Sequence, residues 1–339
     1  MAEPRKYRLI FMGTPDFGAR VLRRVARCSF CEVAAVYTRP DRPSGRGHRL
    51  VPSSVKELAN YCGFPVFQPS SLASPDEQLH FATLRPDFLL VASYGLILPA
   101  AILAIPRFPP LNVHASLLPR YRGAAPVQRA IMENWQPDAR TGVSIMRVDV
   151  KLDAGPVYAA QSVPIAGRTA GELLDLLADE GASLLLRVMR KMLAGDVAPV
   201  PQDETLVTYA AKLFKHESVV DWNRPAAAVH AHIRAMTPKP GARAVFRFCA
   251  QDRADSASPE QEYSFRLFPG NPLASPAEQT PGTLRHVKEG LLVACADCWY
   301  ELLQVRPHGA STMHVRDFVN GRLRDQPPGF CGSAVRPLA

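Results

Sequence analysis

Nowhere does this chain offer the roughly 18–20 consecutive apolar residues that a membrane-spanning helix needs, and no transmembrane role is expected. Its cysteines number seven, an odd count that argues against a complete disulfide framework and fits a reducing compartment. Two CxxC pairs occur, Cys28/Cys31 and Cys295/Cys298, but they lie at opposite ends of the chain with no Gly or Pro between their members. Half-buried thiols are expected there rather than a shared zinc site, and no metal is expected. No GxSxG elbow and no cysteine with a partner motif places a nucleophile. GxGxxG is missing too: the turn Gly13-Thr14-Pro15-Asp16-Phe17-Gly18 puts Pro15 and Asp16 where a pyrophosphate needs bare backbone, which excludes a dinucleotide site. The polar opening Met1-Ala2-Glu3-Pro4-Arg5-Lys6 has neither the apolar core of a secretory signal nor room for a transit peptide. A bacterial cytoplasmic protein is expected. Internal repeats and dimer signatures are missing as well, so a monomer is expected.

What is present is ordinary globular material, with 339 residues, 47% of them hydrophobic and 21% charged, enough for two domains. The net charge of +9 is unevenly placed. Residues 1–50 carry a basic surplus of seven, residues 212–250 of five and residues 306–339 of three, which leaves the remainder acidic. That distribution suggests a polyanion touching the first fifty residues and the C-terminal third.

The opening reads strand, helix, strand: Tyr7–Met12, a helix from about Phe17, then Val33–Thr38. Such a start suggests a doubly wound α/β domain with a mostly parallel sheet. Residues Thr38–Leu50 follow as an exposed loop, in which Arg39, Arg42, Arg46 and Arg49 alternate with Pro and Gly. Arg forks on flexible backbone suit phosphate contacts. A helix over Ser53–Cys62, a short strand at Pro65–Phe67 and a helix between Pro75 and Leu84 come next. The apolar run Asp87–Tyr94 is a strand buried on both faces, broken by Gly95. Beyond it, Leu96-Ile97-Leu98-Pro99 either packs under the surface or walls a pocket for a flat heterocycle.

A helix over about Pro126–Asn134, strands at Thr141–Val148 and Val157–Ile165, and a long helix from near Thr169 to Leu193 complete a first domain of residues 1–194. Residues 195–212, rich in Pro and Asp, read as a linker. Over 213–339 a helix at Ala226–Met236 precedes short alternating segments, which suggests a small β-barrel.

The stretch Leu111–Ala130 organises the chain. Alternation puts Asn112 and His114 on one side of an extended segment, and Pro119 ends the regular strand shortly afterwards. Asp153 lies at a later break, in Lys151-Leu152-Asp153-Ala154-Gly155-Pro156. A carboxamide and a protonated imidazole can stabilise an oxyanion, and the aspartate would fix the imidazole's tautomer and assist proton movement. With no nucleophile placed, direct attack by a substrate amine is the acyl transfer these groups would serve. On residue types alone a structural histidine at a strand end remains open.

Several motifs then occur in order: Gly13-Thr14-Pro15-Asp16-Phe17, Pro40-Asp41-Arg42-Pro43-Ser44-Gly45-Arg46-Gly47, Ser93–Pro99, Asn112–Pro126, Leu152–Pro156 and Gln202–Ala210. Together they resemble the methionyl-tRNA formyltransferase family over most of the chain. The resemblance implies transfer of a formyl group from 10-formyltetrahydrofolate to the α-amine of methionine on initiator methionyl-tRNA, with Asn112, His114 and Asp153 as the catalytic trio. It implies a folate site lined by Ser116, Leu117, Leu118 and Pro119, with the pterin held by the loop of Tyr94, Gly95 and Leu96. It also implies tRNA contacts through Arg46 and its neighbours Arg39, Arg42 and Arg49, and an oligonucleotide-binding (OB-like) barrel at the C-terminus. Lys212 and Lys215, opening the basic segment, are expected to join those contacts. Lys239 stands where many relatives carry a tryptophan, and the inserts Gln251–Glu262 and Pro269–Pro281 look long for the family. Relatives of the same fold that formylate a nucleotide-sugar amine share the trio but have no use for the Arg42–Arg49 loop. A non-catalytic RNA-binding module would have no use for the trio.

Overall fold

The computed structural model describes residues 6–44, 49–248, 261–288, 290–322 and 329–335. Arg46 and nearly all of the Gln251–Glu262 insert lie outside the described residues, as does the side chain of Arg49. The chain forms two compact units: residues 1–126, 140–164 and 173–211 make the first, residues 127–139, 165–172 and 212–339 the second.

Through residue 211 the elements are β1 (Tyr7–Gly13), α1 (Asp16–Val25), β2 (Cys31–Tyr37), β3 (Arg42–Ser44), β4 (Arg49–Val51), α2 (Ser54–Tyr61), β5 (Val66–Phe67), α3 (Pro75–Thr83), β6 (Phe88–Ala92), α4 (Ala100–Leu103), β7 (Leu111–His114), β8 (Arg122–Gly123), α5 (Pro126–Glu133), β9 (Arg140–Arg147), β10 (Val157–Pro164), α6 (Ala170–Ala194) and β11 (Tyr209–Ala210). Seven strands form one sheet in the order β10-β9-β7-β6-β1-β2-β5. From β7 to β5 neighbours run parallel, while β9 and β10 attach antiparallel at one edge. The expected mostly parallel sheet is thus the observed one. Its middle is dry because both faces are covered: all five residues of β6 are buried, and Leu9 to Met12 of β1 are fully so.

Helix starts follow their side chains. Ser53 accepts from the Lys56 amide to cap α2, and Ser74 accepts from the Glu77 amide ahead of Pro75. Thr169 and Glu172 bond each other's backbone amides, a capping box that starts α6. The stretch read as an open arginine loop differs from expectation. Its two arms pair as the antiparallel hairpin β3–β4, with Pro43 opposite Leu50.

The second unit holds α7 (Ala226–Met236), β12 (Ala242–Phe248), β13 (Gln261–Leu267), β14 (Asn271–Pro276), β15 (Thr283–Val287), β16 (Gly290–Ala294), β17 (Cys298–Leu302), β18 (Gln304–Pro307), β19 (Met313–His314), α8 (Val315–Arg322) and β20 (Gly329–Val335). Nine strands pair antiparallel in the order β14-β17-β16-β15-β20-β12-β13-β18-β19, a half-barrel sheet. Alternation along β12 puts Ala242, Ala244, Phe246 and Phe248 inside, against Val229, Ile233 and Met236 of α7 and Phe318 of α8. Part of the Pro269–Pro281 insert is the edge strand β14, where Pro272 and Pro276 are tolerated because an edge leaves one row of amides unpaired. Among the described residues no helix is long and apolar enough to cross a membrane.

Candidate active site

Strand β7 carries the site at its C-terminal end. Asn112 pairs with Val91 of β6 and Met146 of β9, and His114 pairs with Ser144 of β9. Beyond His114 the chain leaves the sheet in a turn closed by two hydroxyls, its own Ser116 and Ser144 of β9. Ser116 Oγ donates to the Arg120 carbonyl (2.6 Å), while Ser144 Oγ donates to the Ser116 carbonyl (2.7 Å) and accepts from the Leu118 amide (3.1 Å). The Leu118–Pro119 peptide is cis.

Tyr121 and Gly123 hold two members of the expected trio, His114 and Asp153, in place. Tyr121 and Gly123 both have left-handed backbones, with φ of +61° and +122°. These angles set the Tyr121 carbonyl on the His114 ring, with Nε2 at 2.9 Å, and the Gly123 amide on Asp153 Oδ2, also at 2.9 Å. At Gly123 a side chain is also excluded by contact, since a Cβ would lie 2.8 Å from the Ala210 carbonyl oxygen. A carbonyl only accepts, so Nε2 of His114 carries a proton, and in the neutral tautomer Nδ1 is the bare nitrogen. That Nδ1 lies 3.7 Å from Asp153 Oδ2, too long for a hydrogen bond and close enough for an ion pair once the ring is protonated. The fixed tautomer therefore comes from the Tyr121 carbonyl, not from the aspartate as expected from sequence. Both groups are largely withdrawn from water, at 7% and 11% side-chain exposure.

Asp153 itself sits at φ +49°, at the turn between β9 and β10. Its carbonyl and that of Gly155 both accept from Gln202 Nε2, at 2.8 and 2.7 Å. Gln202 Oε1 in turn accepts from Nε and Nη2 of Arg122, at 3.0 and 2.9 Å, and Arg122 also pairs with Glu204 at 2.8 Å. Asn112 is half-buried, and among the described residues nothing hydrogen-bonds its carboxamide. The fold thus brings Asn112, His114 and Asp153 to one edge of the sheet, with two of the three tied down and the third uncommitted.

Around this centre the apolar loop after β6 divides its residues between two environments. Leu98 packs against the core with Ile102, whereas Ile97 is 87% exposed. Ser93 and Gly95 have left-handed backbones, and the Tyr94 carbonyl accepts from Thr14 Oγ1 at 2.8 Å. The hydroxyls of Tyr37 and Tyr94 and the Nε of Arg39 are buried without a hydrogen-bond partner. Burial pushes both tyrosine hydroxyls far above their ordinary range, so they stay neutral donors. Tyr37 and Tyr94 share one buried cluster with Leu98 and Ile102. Leu117 packs so closely on β9 that a Cβ at Gly142 would lie 2.5 Å from its Cδ2.

Among the sequence-predicted cations, Arg39 is half-buried at the foot of the hairpin, where its carbonyl accepts from Gln68, and Arg42 is exposed on β3. Lys212 and Lys215 are exposed in the second unit. No group of three or more His, Cys, Asp or Glu able to hold a metal occurs among the described residues. Sequence reading missed Tyr121, Arg122, Gly123 and Gln202 as individuals. The only signal was a Gly following Arg122 in a stretch without regular structure, because two of the four act through backbone atoms.

Comparison with known proteins identifies the family. A profile of the formyl transferase family matches residues 6–189, and one of the formyl transferase C-terminal domain matches residues 212–323. A methionyl-tRNA formyltransferase of Desulfovibrio desulfuricans is 49% identical over 337 residues, covering 99% of both chains. One from Nitratidesulfovibrio vulgaris is 41% identical, covering 97% of this chain and 98% of that one. Among solved structures, an N-formyltransferase of Helicobacter canadensis in complex with folinic acid and dTDP-3-aminofucose superposes with a TM-score of 0.60 at 14% identity, covering 91% of this chain and all of that one. HypX of Aquifex aeolicus in complex with tetrahydrofolic acid gives a TM-score of 0.58 at 16% identity; 94% of this chain is matched, spanning 48% of HypX. At these identities the two structures speak to the fold alone.

Proposed function

This chain belongs to the methionyl-tRNA formyltransferase family, and from that premise we propose that Asn112, His114 and Asp153 carry its reaction, with 10-formyltetrahydrofolate as donor and the α-amine of initiator methionyl-tRNA as acceptor. The single observation that supports the assignment is the Tyr121–Gly123 tripeptide, which orients the imidazole and the carboxylate toward each other beside an uncommitted carboxamide. When bound, the folate supplies a formyl carbon on nitrogen, open to attack by an amine.

Each member of the trio then has a task that its surroundings permit. The Asn112 carboxamide donates an N–H to the formyl oxygen as negative charge grows there. Nδ1 of His114, left free by the bond of Nε2 to the Tyr121 carbonyl, takes the proton that the amine sheds on attack. The resulting imidazolium faces Asp153, whose carboxylate, held by the Gly123 amide, stabilises it. Returning that proton to the departing nitrogen completes the cycle. The folate rests against Ser116, Leu117, Leu118 and Pro119, with Tyr94, Gly95 and Leu96 toward its heteroaromatic end. Arg39, Arg42, Arg46 and Arg49 with Lys212 and Lys215 meet tRNA phosphates. The protein works as a cytoplasmic monomer without a metal.

The test is formylation of methionyl initiator tRNA by the purified protein and by Asn112→Ala. Loss of one charge-stabilising donor is expected to lower kcat about 10²–10³-fold with little change in either KM. Wild-type turnover in Asn112→Ala would remove the carboxamide from the mechanism. Activity only on an amino-sugar nucleotide would overturn the acceptor.

A further inference from the structure

We infer that Gln202, oriented by the buried Arg122, is a positioning residue for Asp153, and that this is why the first unit keeps an arginine in its interior. Arg122 is 1% exposed and the largest fully buried side chain among the described residues. A guanidinium withdrawn from water is costly unless its donors are met, and here they are met in a particular order. Nε and Nη2 converge on Gln202 Oε1, while Nη1 and Nη2 reach the two oxygens of Glu204.

Two donors on one amide oxygen leave the Gln202 carboxamide a single sensible orientation. Its NH2 end then faces two acceptors, the carbonyls of Asp153 and Gly155, and bonds both. Those carbonyls flank Ala154, so one side chain staples the turn in which Asp153 adopts its left-handed backbone. From the other direction the Gly123 amide holds the Asp153 carboxylate itself. Arg122 and Gly123 are adjacent, so one dipeptide grips Asp153 twice, through its backbone by way of Gln202 and directly at the acid. If the Gln202 staple is released, Oδ2 remains bonded but the main chain that carries it is free to shift relative to His114. A displacement of about 1 Å at a reacting group is worth on the order of 10²-fold in rate. The inference rests on Asp153 acting in the reaction, as proposed above.

Gln202→Glu separates positioning from structure. A glutamate keeps the acceptor end for Arg122 and adds an opposite charge, so folding is supported. It also sets an acceptor against two carbonyls where two donors stood, so the staple is lost. Expected is a kcat for methionyl-tRNA formylation lowered about 10- to 100-fold, with both KM values within about twofold and Tm kept within about 2 °C of wild type. Gln202→Met, similar in shape and uncharged, serves as the second variant and should lose kcat in the same range at unchanged KM. Gln202→Glu at wild-type kcat, or kcat falling only in step with Tm across both variants, overturns the positioning role. Asp153→Asn assayed alongside tests the premise separately: if that variant keeps wild-type kcat, it is the trio assignment that fails.

Discussion

Acidification from pH 7.5 to 5.0 is expected to weaken the second unit through two histidines of α7. Burial is the first cause at both, holding His230 and His232 at about 4 against an ordinary 6.5, with Arg234 and Arg224 respectively adding repulsion. Glu217 and Asp221 pull His232 the other way without offsetting its burial. The His230 ring bonds the Tyr300 hydroxyl through Nδ1 at 3.1 Å, whereas Nε2 of His232 is buried without a partner. Above about pH 6.5 the folded and unfolded chains both hold neutral rings, and pH has no purchase. Between 6.5 and 4 only the unfolded chain takes up protons, so stability falls steadily, and it levels off below 4. At pH 5.0 the loss comes to about 2 kcal/mol per histidine, or about 4 kcal/mol for the pair, at 1.36 kcal/mol per pKa unit. With a urea m value of about 2 kcal/mol/M, the unfolding midpoint should drop by about 2 M. Trp135, Trp222 and Trp299, the three tryptophans of the chain, all belong to the second unit, so intrinsic fluorescence reports its unfolding selectively. The double variant His230→Gln/His232→Gln should flatten the pH dependence. An equal midpoint drop in that variant, or none in the wild type, refutes the reasoning.

Two further outcomes can be checked. Gly142→Ala would place a Cβ 2.3 Å from the Gln161 carbonyl oxygen and 2.5 Å from Leu117 Cδ2. Overpacking of that kind costs about 1–3 kcal/mol and should lower Tm by roughly 2–12 °C in calorimetry, with a raised KM for the folate as Leu117 is displaced; a Tm within 1 °C of wild type would show that the strand pair yields freely. Lys212→Ala/Lys215→Ala should flatten the dependence of log KM for tRNA on log salt by about 1.5 to 2, with the folate KM unchanged. An unaltered slope would take both lysines off the tRNA path.

How much of this was legible in the sequence depended on what each residue does. The strands of the parallel sheet announced themselves because burial on both faces demands unbroken apolar runs, as in Phe88–Ala92. Asn112 and His114 could be placed on one face because strand alternation fixes it. Strand β20 escaped notice although it lies mid-sheet between β15 and β12, since Gly329 and Gly332 dilute its β signal. The hairpin β3–β4 escaped because Pro and Gly hide a three-residue ladder. Arg122 was the harder case: its type predicts a solvated side chain, and it takes Gln202 and Glu204, eighty and eighty-two residues away, to make its burial tolerable. The Tyr121 carbonyl was illegible in principle, because every residue has one.

The reach of Arg122 toward Gln202 and Glu204, with β11 pairing on β8, also bears on how such enzymes can be recombined. Residues 200–210 travel with the catalytic unit even though they follow its last long helix. A chimera joined at Ala194 would pair this Arg122 with whatever the donor supplies at those positions, whereas one joined after Ala211 carries the whole circuit across intact. The natural crossover point for exchanging C-terminal modules in this protein is therefore about seventeen residues later than the end of α6 suggests.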